Sequence, residues 1–102
     1  EVVFNAVKGG LAGSNVLNAK APMAIARNFK PGFRIRLHQK DLRNALLAGE
    51  SLKVGLPITS MVQQMLMALM NDGKGELDHS GIVTFIEQMA GVEVKKPSAA
   101  GA

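Results

Sequence analysis

Between Pro57 and Leu69, the apolar residues Ile58, Met61, Val62, Met65, Leu66 and Leu69 return every three or four positions. That spacing places them on one stripe of an α-helix and on both faces of a strand. Nowhere does the chain show the strict alternation with β-branched enrichment that a half-buried strand needs. The fold class expected is therefore all-α, a small bundle of about five helices joined by short links.

Turn and cap residues set the expected boundaries. A short apolar run, Val2, Val3, Phe4, Ala6 and Val7, stops at Gly9-Gly10 and reads as the last turns of a helix. It opens already amphipathic, with no capping residue ahead, so a longer parent chain is expected. Ser14 can cap a second helix from Asn15 to about Lys20. Pro22 should end or kink that helix near Ala21, with Met23 to Ala26 adding at most one turn. Asn28 to Gly32 reads as loop. The third helix is expected from Arg34 to Ala48, with Ile35, Leu42, Ala45 and Leu46 on its apolar stripe; Gly49 and Gly55 bracket the loop that follows. Pro57 opens the fourth helix and Asn71-Asp72-Gly73 ends it. Asp78 can cap a fifth, carrying Ile82, Val83, Phe85, Ile86 and Met89 and closed by Gly91. Residues 1–94 are expected to form the helical domain and 95–102 a frayed tail.

At 102 residues the chain is long enough for one modest core. All four aromatics are Phe, so the core must rest on aliphatic side chains and on six Met. The absence of cysteine excludes disulfides and thiolate metal sites. It also fits a reducing compartment. Without an apolar run of bilayer length, or a basic and then apolar leader at the start, the expected location is cytoplasmic.

Charge is unevenly spread. Arg27 to Ala45 holds six of the twelve Lys/Arg residues: Arg27, Lys30, Arg34, Arg36, Lys40 and Arg43. Like charges at helical spacing repel, so an anion is expected to dock near the start of the third helix. A solvated basic face is the plain alternative, and a net charge of +4 also admits nucleic acid. Nucleic acid is discounted, because no aromatic stacking platform and no zinc-knuckle spacing accompany the cations. His38 and His79 lack Cys partners and HExxH spacing, so no metal site is expected. Both read as surface or core-edge residues. Gly9 to Gly13 follows a helix rather than a strand and does not match GxGxxG. Asp41 could be an acid/base group or a salt-bridge partner of Lys40. Phe33 could wall a pocket or staple its loop to the third helix.

The segment F-K-P-G-F-x-I-x-L-x-x-K-D-L-x-N-A, residues 29–45, follows the turn GGLAGS and precedes GLPIT and DHS. In that order these pieces resemble the C-terminal half of the β-hydroxyacid dehydrogenases, over about residues 6–94. The resemblance implies an oxidoreductase using NAD(H) or NADP(H), whose Rossmann domain and catalytic lysine precede this segment and are absent from it. Lys40 matches the lysine that reaches the cofactor. Asp41 matches the acid lining the active site, and Phe33 the aromatic wall near the substrate. No catalytic residue is expected in this chain, and alone it should be inactive. The implied substrate is a small carboxylate bearing an aldehyde, reduced to a hydroxyacid. A homo-oligomer is expected, because apolar surface buried in the parent would be exposed here.

Overall fold

The computed structural model describes residues 1–95. Five α-helices follow one another: α1 (Val2–Val7), α2 (Asn15–Ile25), α3 (Ile35–Leu52), α4 (Pro57–Asn71) and α5 (Val83–Ala90). A 3₁₀ turn, His79–Ile82, leads directly into α5. There is no strand among the described residues; one isolated bridge joins Arg34 to Asp78. The all-α architecture thus matches the periodicity. All of the expected tail except Lys95 lies outside the described residues.

The core sits where α3 crosses α4. Ile35, Leu66 and Leu69 are enclosed, and Leu42, Val62, Leu77, Ile82 and Phe85 pack around them. The stripe of α3 runs Ile35, Gln39, Leu42, Leu46, Gly49, so Ala45 lies outside it and is exposed. Ile58 and Met61, expected on the buried stripe of α4, are 69% and 61% exposed. With Met65, Phe85, Ile86 and Met89, Met61 borders an apolar groove of about 590 Å³ between α4 and α5. The first helix, α1, encloses no residue fully, and Phe4 alone of its residues is partly covered.

Three boundaries differ from the sequence reading. First, α2 continues through Pro22 to Ile25. A proline there removes one N–H and frees the Asn18 carbonyl, but both residues are exposed and water can serve that carbonyl. Ser14 Oγ accepts from the Leu17 N–H at 2.9 Å, and the Ala26 N–H reaches the Pro22 carbonyl at 3.0 Å, so both ends stay fixed. Second, Gly49 lies inside α3 and not in a loop. The returning chain presses on it: a Cβ there would meet Leu56 Cδ1 at 2.9 Å and the Val54 carbonyl oxygen at 3.0 Å. Its glycine character answers a close approach, and the left-handed end of the helix falls instead on Lys53, at φ 59°. Third, Asp78 caps the 3₁₀ turn, accepting from the Ser80 N–H at 3.0 Å, and α5 begins only at Val83.

Candidate functional site

The loop before α3 is sewn to the segment before the 3₁₀ turn. The Asp78 N–H donates to the Phe29 carbonyl at 2.9 Å, and the His79 N–H to the Phe33 carbonyl at 2.7 Å. The first turn of α3 joins the same seam: the Ile35 N–H reaches the Leu77 carbonyl at 2.9 Å and the Arg36 N–H the Gly75 carbonyl at 3.0 Å. These four bonds satisfy backbone groups that a helix start and its lead-in would otherwise leave open.

Asp78 is the hub of that seam. It is fully enclosed. Its Oδ1 accepts from Lys20 Nζ at 3.0 Å, the Gly32 N–H at 2.9 Å and the Phe33 N–H at 3.1 Å. Its Oδ2 accepts from the Ser80 N–H. Burial alone would raise its pKa, but the Ser80 hydroxyl and amide, the Phe33 amide and Lys20 outweigh burial and hold it far below the usual carboxylate range. The Ser80 hydroxyl itself meets no aligned hydrogen-bond partner, so its share is that of a nearby dipole.

Phe33 rides on this hub. Its ring lies edge-on to His38, with centroids 5.7 Å apart at 77°, and to His79, 5.9 Å apart at 73°. The two imidazoles stand 5.4 Å from each other. Phe33 therefore does staple its loop to α3, through His38, and the half-buried ring closes a three-ring cluster drawn from three places in the sequence. Burial depresses the His79 pKa; Lys20 and His38 push the same way, and Asp78 opposes them. His79 is thereby kept neutral near neutral pH. Among the described residues no group of three or more His, Cys, Asp or Glu is placed to hold a metal ion.

Lys40 and Asp41 lie half-exposed on the outer side of α3, with Nζ and Oδ1 3.5 Å apart. A pair that open is weak and readily exchanged for another partner. The rest of the basic stretch is largely consumed within the molecule. Arg27 grips Glu87 through two nitrogens at 2.6 and 3.1 Å, meets Glu93 at 3.3 Å and stacks on Phe29. Arg34 and Arg36 share Glu76, each with Nε 2.7 Å from a carboxylate oxygen, although Arg34 Nε is off-axis for a hydrogen bond. Among the described residues only Lys30 and Arg43 of the six cations have no acidic partner.

Comparison with known proteins adds what geometry alone leaves open. A family model described as NAD-binding of NADP-dependent 3-hydroxyisobutyrate dehydrogenase matches residues 1–86. The chain belongs to that family. It is 41% identical over 88 residues to 2-hydroxy-3-oxopropionate reductase of Escherichia coli, covering 86% of this chain and 30% of that protein. It is 28% identical over 92 residues to a probable 3-hydroxyisobutyrate dehydrogenase-like protein of Arabidopsis thaliana, covering 90% and 28%. Likeness to 2-(hydroxymethyl)glutarate dehydrogenase of Eubacterium barkeri is 40% over 67 residues, covering 66% and 22%. The chain thus spans about a third or less of the curated relatives it matches. Its relatives are β-hydroxyacid dehydrogenases, and no helix among the described residues is long and apolar enough to cross a membrane.

The sequence reading missed the Asp78 hub and the His38–His79 approach. Asp78 was legible only as a cap, because its partner Lys20 lies 58 positions away. No local signal marks that pairing. Lys20, the one charged residue of α2, was the hint available.

Proposed function

We propose that this chain is the substrate-side domain of an NAD(P)-dependent enzyme that reduces 2-hydroxy-3-oxopropionate (tartronate semialdehyde) to glycerate. The observation that carries this reading is the 41% identity to the Escherichia coli reductase across 86% of the chain, which includes the Phe33-to-Asp41 segment. The family description supports 3-hydroxyisobutyrate as the second reading, with the same chemistry on a different acid.

In this reading Lys40 reaches the dinucleotide, and Phe33 and Asp41 line the substrate pocket. The residues fit such a role. Lys40 is half-exposed and loosely held by Asp41, so its ammonium can turn toward a phosphate or carboxylate. The hydride comes from the nicotinamide when it is bound. The Phe33 ring excludes water from the carbonyl, and the half-exposed Asp41 carboxylate limits where Lys40 can point. The proton that completes the alcohol is assigned to no residue of this chain. Lys30 and Arg43, unpaired among the described residues, add a positive field that draws small anionic substrates. The exposed groove between α4 and α5, with α1, is proposed as the surface through which the enzyme associates with a second copy of itself.

Kinetics on the enzyme containing this domain test the reading. kcat/KM should be higher for 2-hydroxy-3-oxopropionate than for the 3-hydroxyisobutyrate couple, and Lys40→Ala should raise the cofactor KM about tenfold, the weight of one charge-assisted contact. A preference for the second acid moves the assignment to the alternative, and an unchanged cofactor KM removes Lys40 from it. The 102-residue chain alone should show no turnover.

A further inference from the structure

Phe33 is fixed more completely than a loop aromatic requires. Its N–H is held by Asp78 and its carbonyl by the His79 N–H, so the backbone has no freedom to swing. Only the side-chain torsions remain, and an imidazole flanks the ring on each of two sides. Edge-to-face contacts of this kind define a ring's tilt as well as its location. One imidazole comes from α3 and the other from the 3₁₀ turn, so both elements must be docked for the cluster to form. Titratable groups face it: Lys20 from α2 and Asp78 from the seam bear on His79, and the two imidazoles lie 5.4 Å apart.

We propose that His38 and His79 are positioning residues that set the tilt of the Phe33 ring in the wall of the substrate pocket. This rests on the reading of Phe33 given above. The histidines touch neither substrate nor cofactor in it; they act through Phe33. The imidazoles pack against the ring and against each other. A proton on His79 would set its charge against the Lys20 ammonium and loosen that packing.

The test uses His38→Gln, His79→Gln and His79→Phe in the enzyme containing this domain. His79→Gln should lower kcat/KM for the aldehyde acid about tenfold and leave the cofactor KM unchanged, because a misplaced wall affects the reacting geometry alone. His38→Gln should do the same. His79→Phe should restore kcat/KM at neutral pH and remove the decline of the wild type in acid, since it keeps a ring and loses the titration. Wild-type kcat/KM in both glutamine variants, or equal losses in His79→Gln and His79→Phe, would overturn the proposal.

A separate readout isolates it from the function assigned to Phe33. The ring resonances of labelled Phe33 should shift in His79→Gln and return toward their original positions in His79→Phe. If Phe33→Ala leaves turnover unchanged, the pocket reading fails, and the ring shifts alone then decide: moved resonances uphold the positioning, unmoved ones end it.

Discussion

Lys20 Nζ lies 3.0 Å from Asp78 Oδ1, joining the middle of α2 to the start of the 3₁₀ turn across 58 positions of sequence. Asp78 is fully enclosed while Lys20 keeps partial access to water. The pair therefore differs from a surface bridge: removing the cation leaves a buried anion supported by backbone amides only.

Lys20→Met should destabilise the domain by about 3 kcal/mol, the usual consequence of orphaning one member of a buried pair. Asp78→Asn should cost about 2 kcal/mol or more, because an amide offers one acceptor oxygen where the carboxylate serves donors with two. Urea unfolding followed by circular dichroism measures both. Losses below ~0.5 kcal/mol would remove Asp78 from its place as hub.

Stability should fall in two stages as pH drops. His79 binds its proton more weakly in the fold than at its ordinary 6.5, so its contribution is complete above that value and is lost as pH falls below it. Asp78 and Glu87 are held below 3.8 and 4.5, so their contributions are lost only in stronger acid. Urea midpoints collected from pH 8 to 3 should be flat at first, decline below 6.5 and decline again below 4.5. The first decline should vanish in His79→Gln.

Gly49→Ala should destabilise by about 1–3 kcal/mol, because its new methyl would press on Leu56 and on the Val54 carbonyl. Gly55→Ala is the control. Nothing lies within 4 Å of a Cβ at Gly55, and the change should be neutral or stabilising by up to ~1 kcal/mol. Thermal unfolding of the two variants side by side would expose any error in this contrast.

Arg27→Lys should loosen the segment around Glu93 and Val94 without unfolding the core. A lysine cannot reproduce the two-nitrogen grip on Glu87 together with the bond to the Val94 carbonyl. Glu87 also accepts from the Val94 N–H, so that amide should exchange with solvent faster while amides of α3 and α4 do not change.

The helices were legible because their signals are local. Proline at the first position of α4, serine ahead of α2 and glycine after α5 act through neighbours within a turn, and the structure uses all three. Gly49 was misread because a glycine in a helix and a glycine in a loop look alike until the chain that presses on it is known. Ile58 and Met61 share a stripe with Leu66 and Leu69 yet are exposed, because periodicity reports one apolar face and not what covers it. The site divided in the same way. Phe33, Lys40 and Asp41 stood out through a contiguous motif, whereas the Asp78–Lys20 pair and the His38–His79 approach arise only when α2, α3 and the 3₁₀ turn converge. Three of the six cations in the basic stretch, Arg27, Arg34 and Arg36, pair with Glu76, Glu87 and Glu93, acids that lie far along the chain.

The seam between the Phe29–Arg36 stretch and the Gly75–His79 stretch has a mechanical corollary. A loop fastened at so many points cannot flap over an incoming molecule by itself. In the proposed reading of Phe33 as a pocket wall, the ring can approach a substrate only when the body that carries both stretches moves as one piece, like a tooth on a jaw.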